Sequence, residues 1–117
     1  MYGVGEYNQS YEWSGKGLEY LQIIKNHIPP KELKKKEYDL YLLMNNSLVQ
    51  MLTTPEKMKK LEEINKIQME MSHELYGSES KKYCQDIIRY SWHLYGNGKE
   101  YHSLIQKVDG ILQKKEI

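Results

Sequence analysis

The chain has 117 residues and a mass near 14.0 kDa, which is enough for one compact domain and too little for two. Its 17 basic and 16 acidic residues give a net charge of +1, which excludes a strongly basic packaging protein and an acidic tail. The single cysteine excludes an internal disulfide and favours a reducing, cytoplasmic compartment. We expect no membrane span and no signal peptide, because no apolar run approaches the roughly 20 residues of a span and the first residues are neither basic nor apolar enough.

The apolar composition is unusual, because it contains 11 Tyr and 2 Trp but no Phe and no Ala. Tyr and Trp must therefore supply core volume that Phe would otherwise give. A Tyr ring buries its body while keeping its hydroxyl near water, which favours a thin helical domain. The abundance of Lys, Asn, Ile and Tyr is typical of AT-rich coding and hints at a low-GC bacterium or phage.

The segment 1–16 is predicted to form an irregular arm, because Gly, Asn, Gln and Ser alternate with aromatic residues without a helical stripe. Tyr and Trp are the residues most enriched at binding hot spots. The predicted partner-binding residues of this arm are Tyr2, Tyr7, Tyr11 and Trp13. Packing of the arm against its own domain is the alternative, and the sequence leaves the two equally open.

Helical periodicity begins at Gly17, and residues 17–117 are predicted to form a single helical domain. The first helix ends at Pro29-Pro30, since the residue before a proline leaves the α region, and Pro30 can begin the second helix. Thr54 followed by Pro55 predicts the start of the third helix.

Glycines predict the remaining helix boundaries. Gly77 is expected to end the third helix, and Ser78 or Ser80 to begin the fourth. Gly96 is expected to end the fourth helix, and Asn97 with Glu100 to form a capping box for the fifth. With short connections and no confident strand, the fold class is all-α: a compact antiparallel bundle of four to five helices with the irregular arm.

No combination of residues predicts a complete catalytic or metal site, so we expect a non-enzymatic protein without a metal or cofactor. Glu70 and His73 have the spacing of helical di-iron ligands, but a second such pair is missing. Cys84 lies on an apolar stripe, where a buried, inert thiol is the common outcome. Arg89 and His93 lie one helical turn apart, and such a pair supports a third alternative, a small helical hydrolase or RNase-type toxin.

Lysine clusters support a second alternative, a nucleic-acid-binding transcriptional regulator. The candidate residues are Lys31, Lys34, Lys35 and Lys36 at the start of the second helix, and Lys57, Lys59 and Lys60 at the start of the third. Both clusters lie near helix N-termini, which disfavour cations, so phosphate contact is one reason for keeping them. The single arginine argues against base readout, which relies on bidentate Arg–guanine pairs, and makes nucleic acid the less favoured partner.

Charge is segregated along the chain, with net charges of −1 for 1–28, +3 for 29–60, −4 for 61–80 and +3 for 81–117. Such segregation can steer association with a complementary surface. The sequence therefore predicts a small cytoplasmic regulator, inhibitor or immunity-type protein that binds and masks a protein partner. A homodimer in which the −4 segment meets a +3 segment is also possible from these charges.

Overall fold

The computed structural model describes residues 4–51 and 54–115, which form five α-helices and no strand. The helices are α1 (Val4–Ile24), α2 (Pro30–Gln50), α3 (Pro55–Tyr76), α4 (Lys81–Gly96) and α5 (His102–Lys115). This confirms the all-α class and the upper helix number. The chain divides into two compact units, Met1–Lys57 with α1 and α2, and Met58–Ile117 with α3 to α5. No helix within the described ranges is long and apolar enough to cross a membrane.

The first unit is a hairpin of α1 and α2. A short 3-10 turn, Lys25–His27, follows α1, and Pro30 is the first residue of α2, as predicted. The two helices lie close together at Gly17, where an added Cβ would lie 3.0 Å from both methyl carbons of Leu40. The helices run antiparallel, because only five residues connect the end of α1 at Ile24 to the start of α2 at Pro30.

The predicted irregular arm is wrong from Val4 onward, since α1 is one continuous helix that crosses the expected boundary between residues 16 and 17. The sequence of α1 shows no single apolar stripe, because large apolar residues lie both on its buried face and on an exposed face. Ser14 and Leu21, seven residues apart, are buried, whereas Trp13 and Tyr20 are exposed on another face. Ser14 is accommodated in the helix because its hydroxyl donates to the Ser10 carbonyl at 2.8 Å.

The second unit contains a core of Tyr83, Cys84, Ile87, Val108 and Ile111. Ile87 is fully buried, and Cys84 is buried and free, as predicted. The core lies between α4 and α5, which run antiparallel because the connection between them is only five residues long. Both helices therefore present one face to the core and another to solvent.

The start of α4 follows the prediction, whereas the start of α5 does not. Gly77 ends α3 with φ +98°, and the Ser80 hydroxyl accepts from the Tyr83 N–H at 3.1 Å. However, α5 begins at His102, where the Glu100 carboxylate accepts from the His102 and Ser103 N–H groups. The predicted cap at Asn97 is wrong, because Asn97 instead ends α4 and its amide donates to Glu62 on α3 at 3.0 Å.

Candidate protein-interaction surfaces

A groove of about 420 Å³ lies on the second unit between α4 and α5. We call it the α4–α5 groove, and its lining residues are Ile88, Ser91, Trp92, Tyr95, Tyr101 and Ile105. Its described lining contains no charged side chain, so the surface is apolar with hydroxyl groups from tyrosine and serine. Such uncharged, aromatic concavities are typical of binding sites.

The groove exists because α4 is apolar on two faces. One face packs Cys84, Ile87 and Leu94 into the core. The other presents Ile88, Trp92 and Tyr95, at i, i+4 and i+7, which are 50%, 71% and 60% exposed. Three large apolar side chains on successive turns thus remain open to solvent.

Aromatic contacts hold the mouth of the groove in place. The Tyr95 and Tyr101 rings meet edge to face with centroids 5.5 Å apart, and Trp92 lies 6.2 Å from Tyr95. Tyr101 also stacks on His102 at 4.4 Å. Edge-to-face and stacked arrangements are the favourable geometries of aromatic pairs, so these contacts stabilise the positions of Tyr95 and Tyr101 beside the groove.

Beside the groove, the charges of α4 have local partners. The buried Asp86 carboxylate accepts from the Arg89 guanidinium at 2.8 Å. Burial lowers the pKa of His93 and the Arg89 cation lowers it further; Glu62 opposes both effects without reversing the shift. Burial therefore favours the neutral form of His93, and Arg89 is paired with Asp86. The hydrolase or RNase-type alternative that rests on Arg89 and His93 stays a prediction.

A second apolar surface lies on α1. It consists of Trp13, Tyr20 and Ile23, which are 70%, 60% and 77% exposed, and we call it the α1 stripe. Their spacing of i, i+7 and i+10 places them within one side of a helix at 100° per residue. This stripe could have been found from the sequence if the segment had been taken as helical.

The helix separates the four aromatic residues predicted to bind a partner. Trp13 belongs to the exposed stripe, whereas Tyr7 and Tyr11 are half-buried. Tyr11 lies about 200° around the helix from Trp13, so the two cannot share a surface. Tyr2 lies outside the described residues. Partner binding by these residues stays a prediction, with Trp13 the one that is widely exposed.

The lysine clusters are mostly solvent-exposed. Lys34 and Lys57 are half-buried, while Lys31, Lys35, Lys36, Lys59 and Lys60 are exposed. Lys57 ends the first unit, and Lys59 and Lys60 belong to the second. Nucleic-acid binding by these lysines stays a prediction.

A smaller pocket of about 220 Å³ gathers titratable groups at one side of the second unit. Glu70 and His73 from α3 line it with Tyr83 and Lys107. The Lys107 ammonium donates to the Tyr83 hydroxyl at 2.8 Å, and the His73 ring meets the Tyr83 ring edge to face at 4.9 Å. Among the described residues no group of three His, Cys, Asp or Glu side chains could hold a metal ion.

Comparison with known proteins gives no relative: no family model, no curated protein and no solved structure matches this chain.

Proposed function

We propose that the protein is a non-enzymatic interaction protein that binds an apolar helical segment of a protein partner in the α4–α5 groove. The observation that carries this proposal is the exposure of Ile88, Trp92 and Tyr95 around an uncharged groove of about 420 Å³. In this role the protein acts as a regulator or inhibitor that covers part of its partner's surface.

The apolar area available in the groove is large enough to matter for binding. Covering the exposed parts of Ile88, Trp92 and Tyr95 would remove about 400 Å² from water. At about 25 cal/mol per Å², this contributes roughly 10 kcal/mol. Association itself costs an estimated ~4–15 kcal/mol, so the gain from these three side chains is of the same size as the cost, and the remaining contacts of the segment decide the affinity.

A helix is the segment that fits this shape best. The groove is bounded by two antiparallel helices, and the eight residues of α4 from Ile88 to Tyr95 span about 10 Å, or two helical turns. An amphipathic helix places anchors at i, i+3 or i+4, and i+7 over the same distance. Apolar anchors suit the uncharged lining, since a charged side chain would lose its hydration there without a partner.

A peptide-display selection tests this proposal. The full-length protein is the target, and the selected peptides are then measured against Trp92→Ala and against Leu43→Ala, a control at an exposed apolar position on α2. We expect selected peptides to carry apolar residues at helical spacing, and Trp92→Ala to weaken their binding at least tenfold while Leu43→Ala changes it less than twofold. The proposal is overturned if no such peptides are selected, or if they bind Trp92→Ala as tightly as the wild type with both proteins folded by circular dichroism.

A further inference from the structure

We propose that Asn97-Gly98, in the loop of residues 97–101 between α4 and α5, is a site of spontaneous deamidation whose reaction is held back by contact with α3. Once complete, the reaction detaches this loop from α3. Of the asparagines in the chain, only Asn97 precedes a glycine. Glycine is the following residue that most favours this reaction, because no side chain shields its backbone nitrogen and its backbone is flexible.

The reaction consumes water and needs no other reagent. The Gly98 backbone nitrogen loses its proton and forms a bond to the Asn97 Cγ atom, while the Cγ–Nδ2 bond breaks and the amide leaves as ammonia with that proton. Water then opens the five-membered imide at either of its carbonyls, which gives aspartate or isoaspartate at position 97. The residue thereby exchanges an amide for a carboxylate, and the chain gains about one dalton and one negative charge.

The folded loop opposes closure of the imide ring. The Gly98 N–H donates to the Tyr95 carbonyl at 3.0 Å, so the attacking nitrogen is engaged. The Asn97 side-chain amide donates to the Glu62 carboxylate at 3.0 Å and to the Met58 carbonyl at 3.4 Å. The ψ of Asn97 is 9°, which eclipses the Gly98 nitrogen with the Asn97 nitrogen and leaves the side chain a third of a turn away. Ring closure therefore requires that the loop first leaves α3.

Glu62 is the α3 residue that holds the loop. One of its carboxylate oxygens accepts from Asn97, and the other accepts from the Lys99 ammonium at 2.6 Å. A carboxylate at position 97 cannot donate to Glu62, so two negative charges replace the former hydrogen bond, and Lys99 supplies only one positive charge between them. The reaction thus removes the contact that held it back, and the loss of ammonia makes the change irreversible.

The rate of deamidation tests whether contact with α3 holds the reaction back. The full-length protein is incubated, and its tryptic peptide 90–99, which contains no other Asn or Gln, is followed by mass spectrometry. We expect the wild type to react at least tenfold more slowly than a synthetic peptide of residues 90–99, because only the free peptide is open. Glu62→Ala should react at least threefold faster than the wild type, whereas Glu63→Ala, at an exposed neighbouring carboxylate, should stay within twofold.

A variant with a damaged core separates local release of the loop from global unfolding. Val108→Ala removes buried volume from α5 without changing a residue of the loop or of α3, and should accelerate the reaction less than Glu62→Ala. Circular dichroism must show all variants folded at the start. A wild type that reacts as fast as the free peptide, a Glu62→Ala rate no higher than that of Glu63→Ala, or equal acceleration by Val108→Ala overturns the proposal.

A double-mutant cycle tests the consequence for the loop. Asn97→Asp introduces the charge of the product, and its effect on the midpoint of chemical denaturation is measured with and without Glu62→Gln. We expect Asn97→Asp to lower the midpoint, and to lower it less beside Glu62→Gln, because two carboxylates then no longer face each other. Asn26→Asp, at an exposed position after α1, is the control and should leave the midpoint nearly unchanged. An equal effect of Asn97→Asp in both backgrounds overturns the detachment of the loop. These measurements do not involve binding in the α4–α5 groove, so their outcome is independent of the proposed function.

Discussion

Gln68 on α3 is a buried amide whose removal should stabilise the protein. Its side chain is fully buried, and neither its Oε1 nor its Nε2 atom has a hydrogen-bond partner within the described part of the chain. Leaving a buried polar group unsatisfied costs about 1–3 kcal/mol. Gln68→Met keeps the length and lack of branching while removing both polar atoms, so we expect the free energy of unfolding to rise by about 1–3 kcal/mol.

Chemical denaturation monitored by circular dichroism measures this change as a higher midpoint at constant slope. Gln113→Met, at an exposed position on α5, is the matched control and should stay within about 0.5 kcal/mol of the wild type. Gln68→Ala separates polarity from volume, because it removes the amide but leaves a cavity and should be less stable than Gln68→Met. A lower stability of Gln68→Met would contradict this prediction, since the amide would then have partners whose loss outweighs the relief of its burial.

Two further predictions concern backbone and charge. Gly77→Ala should destabilise the protein by more than about 1 kcal/mol, because Gly77 has a φ of +98°. Gly110→Ala should stabilise it by about 0.4–1 kcal/mol, because Gly110 lies within α5 with no described atom within 4 Å of an added Cβ. Thermal melts that shift in the same direction for both variants would contradict this. Burial tends to raise the pKa of Glu62, but hydrogen bonds from Lys99 and Asn97 outweigh it and hold that pKa below its usual range. The stability from the ionised Glu62 is therefore present above its unfolded pKa of about 4.3 and lost as the pH falls through the lower folded pKa. Denaturation across this range should show the advantage of the wild type over Glu62→Gln shrinking with acid, and a constant difference would contradict the assignment.

Helix boundaries could be predicted from the sequence where a single local interaction decides them. Pro30 begins α2 because its fixed φ suits the first turn, and Gly77 ends α3 because a left-handed residue is needed there. Ser80 caps α4 through its own hydroxyl. Each of these signals depends on neighbours within three or four residues, so no knowledge of the tertiary fold was needed.

Boundaries that depend on distant residues could not be predicted in this way. Asn97 has the right chemistry to begin α5, but its amide is used by Glu62, 35 residues away, and its backbone ends α4. In the N-terminal segment, glycine and polar residues weaken the helical pattern, so the sequence predicts an irregular arm where α1 lies. Gly17 in fact permits the close approach of α1 to Leu40, a requirement that appears only once α2 is in place.

The candidate surfaces depend on helix phase, which periodicity alone assigns poorly when a helix is apolar on two sides. Ile87 and Ile88 are adjacent and chemically identical, yet Ile87 is fully buried and Ile88 is half exposed, because consecutive residues point 100° apart. Apolar residues on a second helix face also bear on the aromatic composition. A thin unit buries one face of each helix, so aromatic residues beyond that face must meet solvent, and both tryptophans of the chain, Trp13 and Trp92, are about 70% exposed. Trp exposes more apolar area than any other residue, and placing both on separate open surfaces costs solubility unless another surface covers them. Among the described tyrosines only Tyr20 and Tyr95 are exposed, so the tyrosine excess mainly supplies packing volume, and the aromatic residues open to solvent are these two and the two tryptophans.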